Sequence, residues 1–439
     1  MCAAMWVLPF QGLSMQGGQC LGLSLMIVIW WARQVAQPGY VSGAYLALLC
    51  LFRVADPAVI FSSWTSSLIW LIPGAYLIAA AVQKSGLGER LSYILILRFV
   101  RGWTSIIGMI FALTLVLSLL IPHPWPRAFL ILSVMTVVIR AANLPKKDAV
   151  AVGFTVFAAQ VPVSLIFLTG DAGVNSLAAS YAPELMDFWG WFRVMGVPAC
   201  LLSVLTMLII LVLFRPSVPV QIDMEQVRQA QQQLGRISRL EGRTLVWVTL
   251  AVVLWMTNSM TGLDIGWITM LLAMFMSMPV VGEVLEAGDW ARVPVHVMVF
   301  MTAAIAIGRV GEETGMNQWL GETLLPAQLP ENILLVGLLI AVISVAIHMC
   351  MGSLIAVMGI VIPAFLTFAQ RMGVPALAVI GIAYISMAGH YLLPFHHLSI
   401  LVGEGEEGGM YTQRETIKMS GPLLAAVLVT VMAAVDGGG

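Results

Sequence analysis

Charge is the scarcest commodity in this chain. Only 10% of its 439 residues are Asp, Glu, Lys or Arg, against 60% hydrophobic, far from the balance of a soluble protein. Its five cysteines (Cys2, Cys20, Cys50, Cys200, Cys350) lie scattered in apolar segments without paired spacing, which argues against a disulfide framework or zinc site and reads them as small hydrophobes. Metal-site spacing such as His-Glu-x-x-His is absent, and His348-x-Cys350 alone is weak, so the metal expectation is none. GEETG and GEGEEGG lack the Lys-Ser/Thr of a phosphate loop, which argues against an ATP-driven pump. No basic patch suggests nucleic acid, and nothing suggests an enzyme or a cofactor beyond a coupling Na+ or H+. The first residues, MCAAMWVLPF, lack the basic n-region of a signal peptide, and a first helix is expected to be missing or vestigial.

What fills the chain is apolar sequence in repeated runs, each near the length a bilayer crossing requires. The expectation is an all-α polytopic membrane protein embedded in a lipid bilayer, in the bacterial inner (plasma) membrane. About 10–11 transmembrane helices are expected, plus two re-entrant hairpins.

The most informative stretch is LIPHPWPR, Leu120–Arg127, set inside one long apolar run. Pro122, Pro124 and Pro126 cannot continue a helix, because each lacks an N–H and its ring clashes with the preceding turn. Two half-helices should meet there, and irregular backbone at bilayer depth is tolerated only where protein covers it or a cavity solvates it. Basic residues flank this run at Lys84, Arg90, Arg98 and Arg101 and at Arg140, Lys146 and Lys147; more fill the loop from Arg215 to Arg243. The positive-inside rule places all three groups in the cytoplasm, making residues 104–140 a hairpin that dips in from that side.

An internal repeat organises the chain. GAYLIAAAVQKSGLGERL from Gly74 resembles AAIAIGRVGEETGMNQWL from Ala303, and each is followed by a long, interruptible apolar run. The expected division is residues 1–214 as a first inverted repeat (hairpin 104–140, broken helix 149–183), 215–243 as a cytoplasmic amphipathic linker, and 244–439 as a second repeat (hairpin 332–369, broken helix 374–405). In the second hairpin Gly352-Ser353 can break the run, with Ser353 as N-cap of the following half. The linker places Val227, Leu234, Ile237 and Leu240 at near-helical spacing, which fits a surface helix at the interface or a solvated linker. FLTGDAGVN, Phe167–Asn175, and LLPFHHLSILVGEGE, Leu392–Glu406, are breaks closing the spans before them. Four broken elements in two-fold arrangement would make one central site, with helix N-termini for an anion and carbonyl ends for a cation.

From about Pro9 onward these residues resemble the divalent anion:sodium symporter family, nearest its citrate/succinate/tartrate-type branch. WLIPGAYLIAAAVQKSGLGERL looks like that family's fourth span and interfacial helix, FLTGDAGVN like its "FLTGxAxN" break, and LLPF followed by VGEG like its second break. The resemblance implies secondary-active transport of a small divalent anion (dicarboxylate, tricarboxylate or sulfate) by an elevator motion in a homodimer. It also implies that the hairpin tips and breaks hold substrate and ion. Where the family has Ser-Asn-Thr at each tip, this chain has Pro122-His123-Pro124 and Ser353-Leu354-Ile355. The second break has His396, His397 and Ser399 where the family has an asparagine; the first keeps Asn175 with Thr169 and Gly170.

The substrate-binding candidates are therefore His123, Pro124, Arg127, Ser353, Thr169, Asn175, His396 and His397; the ion-coupling candidates are Asp171, Gly170 and His123. The family's sodium-type residues are largely replaced, so weakened or absent sodium coupling is expected, with protons through His123 or His396/His397, or anion exchange, in its place. Each candidate has a plainer reading. His123 can be a neutral ring bonded at the tip. One of His396 and His397 can simply pack while the other faces cytoplasmic water. Asp171 can cap a half-helix beginning near Asn175, and Asn175 can itself be a cap. Arg127 can snorkel or pair with a carboxylate such as Asp171. His348 and His390, deep in apolar runs, read as structural, and Glu404, Glu406 and Glu407 as a solvated end. The same losses also fit another class: a non-transporting membrane sensor or scaffold with a degenerate anion site.

Overall fold

The structure, a computed structural model, describes residues 12–33, 35–293, 295–324, 332–351, 354–372, 374–392, 396–405 and 408–436. Ser353 and its neighbour Gly352 lie outside the described residues. The described chain is helical, with one isolated bridge between Glu404 and Tyr411.

The first half comprises α1 Met15–Ala32, α2 Pro38–Leu51, α3 Ser67–Ser85, α4 Leu87–Phe99, α5 Trp103–Ser118, α6 Pro124–Ala141, α7 Lys146–Val163, α8 Ala172–Ser180 and α9 Phe188–Leu213. Then come α10 Met224–Gln233, α11 Arg239–Met256 and α12 Ile265–Ser277. The last part comprises α13 Val295–Glu313, α14 Met316–Leu324, α15 Ile333–Met351, α16 Leu354–Met372, α17 Ala376–Ala388, α18 Leu398–Val402 and α19 Gln413–Asp436. Five of these, α3, α6, α9, α13 and α19, are long and apolar enough to cross a membrane; other apolar helices are shorter because proline and glycine interrupt the runs.

The order α3–α9 recurs in α13–α19: a long helix, a short one, two helices meeting at a tip, a helix ending in a break, a short continuation and a last long helix. The corresponding α3 and α13 run antiparallel. Lys84, at the end of α3, pairs with Glu286 (2.8 Å) and Asp289 (3.4 Å), which precede α13. At the opposite end, the indole of Trp64 ahead of α3 donates to Thr302 Oγ1 inside α13 (3.0 Å).

Two packed groups result. One contains α1–α3 and α11–α13; the other contains α5–α7, α9 and α15–α19, and the two meet where α16 packs on α13. Within the first, Gly266 lets α12 lie against the Ser67 carbonyl, which a Cβ would meet at 2.1 Å. Asp264 caps α12 through Gly266 N and Trp267 N while accepting from Ser67 Oγ (2.8 Å), tying α12 to α3. α8 reaches between the groups, touching α3, α13 and α16.

The expected amphipathic segment is shorter than its hydrophobic spacing suggested. α10 stops at Gln233; its Val227 is buried against α4 and α6, whereas Ile237 falls in the turn before α11 and is exposed. The helix therefore docks on protein, because Gly235 (φ 67°) ends it before the apolar stripe is complete.

Candidate functional site

Hairpin tip and first break fold as one stapled unit. α5 ends at Ser118, and His123, in extended conformation, N-caps α6 by accepting from Trp125 N at Nδ1 (3.3 Å). Pro124 and Pro126 fall in the first turn of α6, where a missing N–H removes no intrahelical bond. The tip is held to the break by Ala172 N, which donates to the Pro122 carbonyl (3.2 Å).

Arg127 lies beneath this tip with no exposed surface. Its Nε donates to Gln160 Oε1 (2.7 Å) and its Nη2 to Ser164 Oγ (2.6 Å), while Nη1 donates to the carbonyls of Ile121 (3.1 Å) and Gly170 (3.0 Å). The planar fork thus bonds α7, the hairpin tip and the break at once, a task a point charge cannot match. Arg127 neither snorkels nor forms an ion pair with Asp171 among the described residues. Gln160 extends the network to Thr114 of α5 (3.3 Å).

Asn175 is equally committed. Its Nδ2 donates to the carbonyls of Ser164 (2.8 Å), Phe167 (2.9 Å) and Leu168 (3.3 Å), and its Oδ1 accepts from the Tyr384 hydroxyl (2.5 Å). The half-helix starts at Ala172 rather than near Asn175, and its cap is Asp171, whose Oδ1 accepts from Val174 N (3.3 Å). Asn175 is thus inside α8, not at its cap.

In the second half, His397 repeats the device of His123. It N-caps α18, its Nδ1 accepting from Ser399 N (3.3 Å). An Nδ1 that accepts must carry no proton, so in each neutral ring the proton sits on Nε2.

A cavity of about 1200 Å³ joins these parts. Of the predicted residues it is lined by His123, Pro124, Asp171, His396 and His397. Arg127, Asn175, Thr169 and Gly170 are not among its lining residues. The first two use their polar atoms within the protein, the Gly170 carbonyl accepts from Arg127, and Thr169 Oγ1 is buried without a partner among the described residues. Arg127 and Asn175, expected to touch substrate, instead hold the wall from behind. The wall also includes Ser399, noted in the second break but not among the candidates, and Tyr76, Ser164 and Tyr384, which the sequence did not single out. Ser164 lies close enough to the first break to have been flagged; Tyr76 and Tyr384 carry no signal beyond lying in apolar helices.

The N-terminal ends of four helices border this space: α6 at His123 and Pro124, α8 at Asp171 and Gly173, α16 at Leu354 and Ile355, and α18 at His397 and Ser399. Their partial positive charge suits an anion, and no Lys or Arg lines the cavity among the described residues. The C-terminal ends of α7 and α17, at Val161, Ser164 and Ala388, border it too, offering the opposite sign. Toward one end it is lined by Gln83 in the last turn of α3, by Gly86 and Glu89 that follow, by Gln37 and Gly39, and by His296. A second cavity of about 690 Å³ lies at the other ends of α3, α8 and α13, lined by Ser66, Ser180, Glu184 and Arg309.

A helical membrane protein with paired tips and breaks around one anion-suited cavity is of the secondary-transporter class. The chain belongs to the family described as the sodium:sulfate symporter transmembrane region, whose model matches residues 1–434. A "Membrane protein" of Cupriavidus necator is 24% identical over 395 residues, 82% of this chain and 75% of that protein. "Dicarboxylate transporter 1, chloroplastic" of Arabidopsis thaliana is 26% identical over 277 residues, 59% of this chain and 49% of that protein. The crystal structure of the Alcanivorax borkumensis YdaH transporter shares the fold, with a TM-score of 0.57 at 15% identity, covering 95% of this chain and 98% of that one. The chain is a multi-pass membrane transporter and not an enzyme.

Proposed function

We propose that the protein is a secondary-active carrier of small dicarboxylates. The observation that carries this reading is the convergence of four helix N-termini on one cavity whose described lining has no fixed cation. A dianion there would be held by helix ends and by neutral donors: the Nε2–H groups of His123 and His397 and the hydroxyls of Ser164 and Ser399. His123, Pro124, His396 and His397 are the substrate-facing set in this reading. Arg127, Asn175, Thr169 and Gly170 position the wall, and Asp171 is the cavity carboxylate open to a cation.

The antiparallel course of α3 and α13 supports two inverted repeats, 1–214 and 244–439. The two packed groups support an elevator: α5–α9 and α15–α19 would carry the substrate past a scaffold of α1–α3 and α11–α13, the latter providing the homodimer contact. The cavity reaches the ends of α3 and α2 that loop charge assigns to the cytoplasm, so this conformation is read as inward-facing.

The test is uptake and counterflow of labelled succinate, malate, citrate and sulfate by purified protein in liposomes, under imposed sodium and proton gradients. Saturable counterflow of a four-carbon dicarboxylate is expected, without strict dependence on sodium. If none of these anions moves while succinate still raises the unfolding temperature, the protein is a sensor rather than a carrier.

A further inference from the structure

Behind the second break the fold gathers three imidazoles that anion contact does not require. His348 lies near the end of α15, His390 just beyond α17, and His396 in the break. All are buried. The His348 and His390 rings meet edge to face with centroids 5.5 Å apart, and His348 and His396 lie 6.1 Å apart.

The hydrogen bonding is incomplete in a particular way. His390 Nδ1 donates to the Ser386 carbonyl (2.5 Å), so its Nε2 presents a lone pair. That Nε2 is buried without a hydrogen-bond partner among the described residues, as are both ring nitrogens of His348. One turn earlier on each helix, the hydroxyls of Ser344 and Ser386 are buried and unpartnered as well. Polar atoms left unpaired in an apolar interior are unfavourable, and leucine or phenylalanine would fill the same volume without that penalty. Packing alone therefore gives a poor account of the His348 and His390 rings.

We propose that His348, His390 and His396 form one proton-binding site that couples anion transport to proton movement. The proposal rests on the carrier reading above. His396 lines the cavity, so it is the member that exchanges with cavity water. A hydronium there releases its proton to an imidazole lone pair and leaves as water, and the proton passes on to His390 Nε2 or to His348. The ionisable side chains that face the cluster are histidines: His348 from α15, His390 following α17, and His396 and His397 from the break. The elements packed on α15 are α16, α17 and α19. The one charged residue of α16, Arg371, is the last but one of that helix, at the opposite end from the tip, and α17 brings no charged residue. Arg414, Glu415 and Lys418 of α19 stand at its start, where Lys418 bonds the Leu213 carbonyl and Glu415 accepts from Thr412 N. Without a carboxylate to balance them, two protons in the cluster would repel, so it takes up one. A bound dianion supplies the missing negative charge, and anion and proton then raise each other's affinity by the same factor.

The experiment uses full-length protein in liposomes loaded with a fluorescent pH indicator, with succinate added outside at equal pH. The wild type should acidify the lumen in step with succinate uptake. His390→Gln and His348→Gln should lose about tenfold of that proton movement while counterflow at saturating succinate, which needs no net proton and is insensitive to the lost affinity, stays within about twofold. Unchanged acidification per succinate in both variants, or wild-type uptake without acidification, would overturn the proposal. Absent counterflow in the wild type is the distinct failure of the carrier reading. In that case, and if the variants do not fold, 15N-histidine spectra of the wild type in bilayers decide. A histidine signal that takes up a proton between about pH 5 and 8 only with succinate bound supports the site. Histidine signals that stay neutral across that range sink it.

Discussion

The hydroxyl of Tyr384 donates to Asn175 Oδ1 at 2.5 Å, joining a helix of the second half to the break of the first. Both residues are fully buried, and the other end of the Asn175 amide holds three carbonyls of the break. This single amide ties three carbonyls of the first break to α17 of the second half. Tyr384→Phe leaves Oδ1 unpaired and should lower stability by about 1–2 kcal/mol, whereas Asn175→Ala orphans several groups and should lower it by about 3 kcal/mol or more. Thermal unfolding in detergent, read beside succinate counterflow, checks the order; equal effects of the two would refute a staple of this kind.

Arg127 makes the same point more sharply. Its guanidinium bonds Gln160, Ser164 and two carbonyls, and Arg127→Lys keeps the charge but not the fork. The expected outcome is a loss of about 3–5 kcal/mol, since the partners are buried and left unsatisfied. A variant with normal stability and only a raised KM would show instead that the arginine meets the substrate.

The sequence made the broken helices legible because proline and glycine announce them. LIPHPWPR falls where α5 and α6 meet, and FLTGDAGVN spans the end of the break after α7 and the start of α8. It also identified polar residues that had to matter at membrane depth. What it could not show was their direction. His123 and Arg127 are four residues apart, as helical neighbours are, yet one borders the cavity and the other lies behind it. Only the crossing of α7 under the tip, which supplies Gln160 and Ser164, decides between those outcomes. Contacts such as Tyr384 with Asn175 join residues far apart in the chain, and no local pattern encodes them.

A pH prediction concerns Arg90 and Glu241, outside the five helices long enough to cross a membrane. Arg90 of α4 donates to both carboxylate oxygens of Glu241 (2.7 and 3.2 Å) and to the carbonyls of Leu234 and Gly235, while Glu241 also accepts from Ser238 N. The Arg90 guanidinium and the Ser238 backbone hold the Glu241 carboxyl below its ordinary value. A depressed folded value means the stabilisation is present above the unfolded carboxyl value, about 4.3, and fades as pH falls through the folded one. Glu241→Gln should therefore be less stable than wild type at pH 7, with the difference shrinking below about pH 4. Unfolding midpoints from pH 3 to 8 test it; a difference that grows toward acid would have the wrong sign.

His123 separates a binding role from a proton-carrying one. Its Nδ1 accepts from Trp125 N, and its ring lies edge-on to Tyr76 (4.7 Å) and Trp125 (5.2 Å) at the cavity wall. Protonating Nδ1 would break the cap of α6, so in the proposed carrier the neutral ring would donate through Nε2. Asparagine is a good N-cap, so His123→Asn should keep stability within about 0.5 kcal/mol, whereas His123→Ala should lose about 1 kcal/mol. Both lose the Nε2–H and should raise the KM for a dicarboxylate by about tenfold, the effect of one missing hydrogen bond to a charged group. In neither should the pH profile of uptake change shape if the proton site is the proposed cluster of His348, His390 and His396. If His123→Asn instead flattens that profile while sparing KM, the first tip carries the proton and the cluster does not.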